Sequence, residues 1–308
     1  MTYRHVPVLC ERVVETFARG PAEIIVDATV GLGGHTEAIL EALPAAQVLG
    51  LDVDPQALEV AADRLRKFGD RVRLVRGSYA KVDACLAELG MQQVSGVLLD
   101  LGVSSLQIDA PQRGFSYIRE GPLDMRMDPS VSRTAADLIN GGSEREMAHV
   151  FQDYGEERWA GRIARAIVRR REREALRTTS DLADVIRGSI PGRKPVSTLA
   201  RVFQGVRMWV NGEMENLREG LGRSLGVLAP GSILVVLSYH SLEDRMVKQF
   251  FRRQVQGCTC PPDLPKCACG FVAGFQLLNR RAVRPTEAEQ QTNVRARSAR
   301  LRALQRAA

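Results

Sequence analysis

Apolar positions along the first hundred residues follow two alternating periods. Glu23-Ile-Ile-Val-Asp27, Val48-Leu-Gly-Leu-Asp52, Val72-Arg-Leu-Val75 and Gly96-Val-Leu-Leu-Asp100 are apolar at nearly every inner position. Short runs of that kind fit strands buried on both faces. Between them, the stretches from Gly34 to Leu43, Pro55 to Phe68 and Ala80 to Leu89 read as helices. Pro55 stands at the first turn of its helix, where a missing N–H costs nothing. Strands alternating with helices predict parallel pairing in a doubly wound α/β sheet.

After Leu101-Gly-Val-Ser-Ser105 the alternation stops. A loop-like stretch carries Arg113-Gly-Phe-Ser-Tyr117 and Gly121-Pro-Leu-Asp-Met-Arg-Met-Asp128, and a charged helical region runs from about Ala135 to Arg187. Strand character returns at Ser232-Ile-Leu-Val-Val-Leu-Ser238, preceded by a helix from about Glu213 to Leu228. Residues 107–206 are therefore expected to be a helical insertion, interrupting an α/β domain made of residues 1–106 and 207–308. Phe275–Asn279 and Ala299–Ala303 are expected to form an antiparallel edge pair.

A chain of 308 residues accommodates that organisation. It has no run of about 18 apolar residues, the length of a membrane span. Met1-Thr-Tyr-Arg-His5 lacks the apolar centre of a signal peptide. The expectation is a soluble cytoplasmic protein. The net charge is +7, nearly all of its positive part Arg. Guanidinium groups suit phosphates and stack on bases, which points to a nucleic-acid partner; an Arg-rich composition without a partner gives the same total.

Open α/β sheets bind ligands at the carboxyl ends of their strands. Three features fall there: Asp27-Ala-Thr-Val-Gly-Leu-Gly-Gly-His35, Asp52 and Asp100. Glycines at such a turn let the backbone approach a ligand, or make a plain tight turn. Asp52 is placed to accept hydrogen bonds from ribose hydroxyls. A dinucleotide fingerprint would need Gly-x-Gly-x-x-Gly, but Thr36 occupies the third glycine position. Asp27 would repel a pyrophosphate and suits a cationic sulfonium or amino group. Together these favour a methyl donor over a nicotinamide cofactor.

Several further motifs now become recognisable: His5-Val-Pro-Val-Leu9, Leu51-Asp-Val-Asp-Pro55, Leu99-Asp-Leu-Gly-Val-Ser-Ser105, Arg113-Gly-Phe-Ser116, Gly121-Pro-Leu-Asp-Met-Arg-Met127, Tyr154-Gly-Glu-Glu-Arg158, Phe203-Gln-x-x-Arg207, Ser238-Tyr-His-Ser-Leu-Glu-Asp-Arg245 and Arg295-Ala-Arg-Ser298. With the turn from Asp27 to His35, they resemble the MraW-type ribosomal RNA methyltransferases, in order along nearly the whole chain. The resemblance implies a class I S-adenosylmethionine-dependent methyltransferase fold, Rossmann-like and mostly parallel, with an inserted helical domain. It implies methylation of the exocyclic N4 of a cytidine in the decoding region of small-subunit ribosomal RNA, with the small ribosomal subunit the expected setting and bare RNA the alternative. It implies that Gly33, Gly34 and His35 line the methionine end of S-adenosylmethionine, that Asp52 takes the ribose, that Tyr79 lies beside the adenine, and that Asp100 and Gln107 complete the pocket.

The cytosine amine is a poor nucleophile, because its lone pair is delocalised into the ring. The protein must align it and accept hydrogen bonds from its hydrogens. Many amino-methyltransferases place Asp/Asn/Ser-Pro-Pro-aromatic after the fourth strand, where this chain has Asp100-Leu-Gly-Val-Ser-Ser105. The candidate acceptors are Asp100, Ser104 and Ser105, with Asp124 and His240 approaching from other loops. Capping is the alternative role for Ser104 and Ser105, and a structural hydrogen bond for His240. A DNA or small-molecule methyltransferase and a catalytically silent nucleic-acid-binding protein are the competing functions.

Arg158, Arg162, Arg165, Arg169 and Arg173 recur at spacings of three and four, so they share one helix face. Such a stripe can track phosphates, or it can be a solvated face paired with Glu156, Glu157, Glu172 and Glu174. Cys258-x-Cys260 and Cys267-x-Cys269 could hold a structural zinc through four thiolates; free thiols and a redox-labile pair are the alternatives. Metal analysis of protein purified without chelator separates these, with one zinc per chain for the four-thiolate site and none for the others.

Overall fold

The structure is a computed structural model and describes residues 7–191, 195–256 and 274–308. The chain divides into two compact units, Met1–Gly102 with Asn216–Ala308, and Val103–Glu215. The first opens with α1 (Cys10–Phe17). It then alternates β1 (Ile24–Asp27), α2 (Gly34–Ala42), β2 (Gln47–Asp52), α3 (Pro55–Leu65), β3 (Val72–Arg76), α4 (Val82–Glu88) and β4 (Val94–Asp100). The second unit carries α5 (Ser105–Asp109), α6 (Glu144–Asp153), α7 (Ala160–Arg171), α8 (Thr179–Ser189) and α9 (Pro195–Asn211). The chain returns through α10 (Glu213–Val227). β5 (Leu228–Ser238), α11 (Ser241–Val255), β6 (Phe275–Leu277), α12 (Glu287–Thr292) and β7 (Arg300–Arg306) complete the first unit. The insertion expected over 107–206 compares with a unit of Val103–Glu215: Ser104 already caps α5, and α9 runs unbroken past residue 206.

The fold class is the expected one, an α/β protein with a mostly parallel sheet. Its seven strands run in the order β3-β2-β1-β4-β5-β7-β6. The first five pair in parallel, and β7 is antiparallel to both its neighbours. The anticipated pair of β6 and β7 forms, but only β6 is an edge. β7 lies inside the sheet because Leu301, Ala303 and Leu304 are buried, with Leu304 in the cluster on one face and the other two in the cluster on the opposite face.

Alternate side chains of each inner strand point to opposite faces. Val26, Leu49, Leu51, Val97, Leu99, Leu234 and Val236 meet Val82, Leu86, Leu217, Leu221, Val247 and Phe251 on one side. Ile25, Val48, Leu98, Ile233, Val235 and Leu237 meet Val13, Phe17, Ile39 and Leu40 on the other. Both faces are covered, so the strands read as continuous apolar runs. α3 starts where the Asp54 carboxylate accepts from the Gln56 N–H at 3.1 Å, with Pro55 in its first turn.

The second unit has its own core, in which Met147, Val150 and Phe151 of α6 meet Ile163 and Ile167 of α7, Leu182 and Ile186 of α8, and Val202 and Val206 of α9. Its long connection is stapled by arginines. Arg113 donates to the carbonyls of Arg126 and Met127 at 2.9 and 3.0 Å, and Arg126 donates to those of Pro129 and Val131 at 3.1 and 2.9 Å. Among the described residues, no helix is long and apolar enough to cross a membrane.

Phe17 packs against Gly96 of the central strand, where an added Cβ would come within 2.6 Å of the ring. Gly96→Ala is expected to lower stability by about 1–3 kcal/mol through overpacking. Urea or thermal unfolding reads this, and an unchanged midpoint would contradict so close a ring.

Candidate active site

Register lines up three carboxylates. Asp27 pairs with Gly50 on one side and Leu98 on the other. Asp52 and Asp100 therefore each stand two residues further along, flanking the turn that follows β1. That turn is threaded between the two neighbours: the Ala28 N–H donates to Leu98 O at 2.9 Å and the Val30 N–H to Leu51 O at 2.8 Å. Gly31 and Gly33 take positive φ, 51° and 78°, which a glycine adopts without strain. A side chain on Gly33 would strike Leu65, and one on Gly34 would press on Pro7, whereas a Cβ on Gly31 would meet only Thr29 O, at 3.8 Å. Gly31 is thus the glycine whose missing side chain leaves open room.

The Asp52 carboxylate accepts from the Gly31 N–H and the Asp54 N–H, both at 2.9 Å. Burial raises its pKa to about 6, against the pull of those two donors. Asp27 is buried and accepts from the Thr36 hydroxyl at 2.7 Å. Burial raises it too, to about 6, opposed by the nearby charge of His35.

Strand alternation gives Asp27 and Asp100 the same parity as Ile25 and Leu98, hence the sheet face on which α2 packs. His35, in the first turn of α2, meets them there. Its Nε2 lies 3.4 Å from Asp100 Oδ2, with the imidazole side chain 6% exposed and the carboxylate 22%. Burial disfavours the imidazolium. Asp100, the nearby Cys10 side chain and the Asp27 charge outweigh it and lift the pKa to about 10. Neither ring nitrogen has a well-aligned hydrogen-bond partner in the structure; the contact with Asp100 is an ion pair, not an aligned hydrogen bond. The other Asp100 oxygen, Oδ1, accepts from the Tyr239 hydroxyl at 2.7 Å. The Asp100 N–H donates to the Thr29 hydroxyl at 2.6 Å.

The remaining candidates are placed as follows. Tyr79 is half-buried, its ring resting where Gly220 of α10 has no side chain; a Cβ there would come within 2.5 Å of it. Ser104 and Gln107 form a reciprocal cap on α5: the Gln107 N–H donates to Ser104 Oγ at 3.3 Å and the Ser104 N–H to Gln107 Oε1 at 3.0 Å. Ser105 follows, buried, as the first residue of α5. His240 caps α11, its Nδ1 accepting from the Glu243 N–H at 3.4 Å, which is the structural role weighed for it. Asp124 is gripped at both oxygens by Arg126, at 2.9 and 2.7 Å. Burial works to raise its pKa, but that guanidinium holds it below the usual carboxylate range. Cys258, Cys260, Cys267 and Cys269 lie outside the described residues.

On the second unit, Arg158, Arg162, Arg165, Arg169 and Arg173 are all exposed. Most of the expected neutralising pairs do not form. Glu174 pairs with Arg170, and Glu157 is buried, 3.5 Å from Arg201. Arg165 meets Glu144 at 3.3 Å and Arg158 lies over the Trp159 ring. Among the described residues, Arg162, Arg169 and Arg173 have no ion-pair partner.

A family model described as the MraW methylase family matches residues 2–307. This chain belongs to the MraW methylase family. The ribosomal RNA small subunit methyltransferase H of Syntrophotalea carbinolica is 50% identical over 308 residues, which cover 99% of this chain and 98% of that protein. The protein of the same name from Geobacter sulfurreducens is 47% identical over 310 residues, 99% of this chain and all of that one.

Tyr239 is the residue that sequence reasoning passed over. It lies in the same motif as His240, and a signal was available. Leu237 pairs with Asp100, so Tyr239 is the next residue of that parity beyond the acid. Reading that needs the register, which pairs residues 137 positions apart.

Because the folded His35 holds its proton more tightly than the usual pKa near 6.5 allows, its contribution to stability is complete below that pH. The contribution declines as pH rises through about 10. The melting temperature is expected to fall between pH 7 and 10, and His35→Gln to flatten that slope. A parallel slope in the variant would remove His35 as its cause.

Proposed function

We propose that this protein transfers a methyl group from S-adenosylmethionine to the exocyclic N4 amine of a cytidine in the decoding region of small-subunit ribosomal RNA, acting in the cytoplasm. The observation that carries the reading is Asp100: a carboxylate at the end of the central strand, partly open at 22% exposure, beside the glycine turn and held through both oxygens. Family membership across nearly the whole chain and the names of the relatives support the ribosomal RNA substrate. The resemblance in the motifs supports the choice of cytidine N4.

The residues present fit the methyl donor. Asp27 and Asp100 both act on His35, so two carboxylates meet one imidazole at this strand end. That suits a ligand bearing a sulfonium and an ammonium, and would repel a pyrophosphate. In this reading Gly33, Gly34 and His35 border the methionine end, Gly31 leaves the open room beside them, Asp52 accepts from the ribose and Tyr79 flanks the base. S-adenosylmethionine supplies a methyl group already activated by its positive sulfur.

The rest of the work is positioning. The Asp100 carboxylate accepts a hydrogen bond from the cytosine amine, turns its lone pair toward the methyl group and takes up the proton that the amine loses. Ser104 and Gln107, engaged with each other, order the connection after β4 rather than meet the substrate. The exposed arginines of α7 track RNA phosphates; Arg169 also favours its own helix terminus.

Methyl transfer from tritiated S-adenosylmethionine to small ribosomal subunits, followed by nucleoside analysis, is expected to give N4-methylcytidine. Label in another nucleoside would refute the assignment. Asp100→Ala is expected to reduce the rate by about 10²–10⁴-fold while the protein still melts cooperatively, and near-normal turnover would remove Asp100 from the chemistry.

Arg162→Glu with Arg169→Glu is expected to weaken RNA binding and to make it less steeply dependent on salt, the logarithmic slope falling by about one for each phosphate the variant no longer reaches. Donor affinity should not change. Equal RNA affinity at every salt concentration would assign the stripe to solvent alone.

A further inference from the structure

Tyr239 has no part in the proposed function, yet it touches the group on which that function turns. β4 and β5 pair in parallel with Asp100 opposite Leu237. Two residues on, Tyr239 has left the strand but keeps its face. Its hydroxyl donates to Asp100 Oδ1 at 2.7 Å.

The tyrosine is itself held rigidly. Its N–H donates to the Glu243 carboxylate at 2.9 Å, and the same carboxylate accepts from the His240 N–H in the cap of α11. Its ring joins the core cluster formed with Leu98, Val235 and Leu237. Burial, then the charge and hydrogen bond of Asp100, and then Glu243 and Glu289 push the phenol well above its ordinary pKa. It therefore remains a donor throughout the working range and cannot itself take a proton.

A carboxylate turns about its Cβ–Cγ bond. An acceptor for an amine must present one lone pair along one direction, and a misplacement of about an ångström costs catalysis heavily. Asp100 has two neighbours that act on that rotation. His35 draws on Oδ2 across 3.4 Å, without a preferred angle. Tyr239 binds Oδ1 directionally.

We propose that Tyr239 is a positioning residue for methyl transfer: its hydroxyl fixes the plane of the Asp100 carboxylate, so that a remaining lone pair is held in one direction toward the methyl acceptor. The inference rests on Asp100 being the amine acceptor.

The test is Tyr239→Phe in the full-length protein, which removes the hydroxyl and keeps the ring. Single-turnover methyl transfer to small ribosomal subunits at saturating RNA is compared with the equilibrium affinity for S-adenosylmethionine and with the melting temperature. The expected result is a rate at least ten-fold lower, donor affinity within two-fold of the parent and little change in melting. That split is what a merely structural residue would not produce. A rate within two-fold of the parent overturns the inference, as does a fall in rate matched by an equal fall in donor affinity. Asp100→Ala, measured alongside, separates the two layers. If it is inactive while Tyr239→Phe is normal, the positioning role alone fails; if it turns over normally, the acceptor reading fails and this one with it.

Discussion

A charged imidazole sealed among carboxylates organises the strand ends of this protein. An imidazolium out of water is costly unless it is paired, and His35 is paired with Asp100 and, through space, with Asp27. The imidazolium in turn offsets part of what burial costs the Asp27 carboxylate. Asp27 ends β1, Asp100 ends β4 and His35 opens α2, so one electrostatic triangle ties together two neighbouring strands and the helix that follows the first of them. The glycine turn is the covalent link inside that triangle, and its left-handed backbone at Gly31 and Gly33 is what allows α2 to start close enough to bring His35 in.

Outward from the triangle, hydrogen bonds grow more directional. Asp100 is held by Tyr239 through its side chain and by Thr29 through its backbone. Tyr239 is held by Glu243, which also closes the cap of α11. Asp52 is held by two backbone N–H groups. Each acid at the strand ends is thus fixed by groups whose own positions follow from the sheet register. Preorganisation of this kind lets a weak nucleophile be aligned without reorganising the site during the reaction.

The arginines that dominate the charge total serve two distinct purposes. Arg113, Arg126, Arg133 and Arg171 turn inward and donate to main-chain carbonyls of the second unit; there a planar fork of donors replaces regular secondary structure. Arg300 and Arg302 close on the buried Asp244. Most of the other described arginines, those of the α7 face among them, are exposed and left to meet solvent or a polyanion. A net charge cannot distinguish these uses, and so composition alone left the nucleic-acid reading undecided.

Local pattern was enough for much of the architecture. Apolar runs bounded by Asp27, Asp52 and Asp100 located three strand ends, because a strand covered on both faces must be apolar throughout and its first polar residue marks where cover stops. The glycines and Thr36 argued against a dinucleotide because that motif is a local backbone requirement. Motifs in order along the chain identified the family. Long-range register was not legible. That β7 enters the sheet between β5 and β6, that Gly31 rather than Gly33 or Gly34 faces open room, and that Tyr239 rather than His240 reaches Asp100 all depend on which distant backbones lie side by side. Ser104 and His240 were open to chemistry or to capping in sequence, because both draw on the same polar side chains, and in the structure each forms a cap. The sequence determined which groups this protein has at its strand ends; the tertiary structure decided which of them touch, since hydrogen bonds form between neighbours in space and a sheet makes neighbours of residues far apart in the chain.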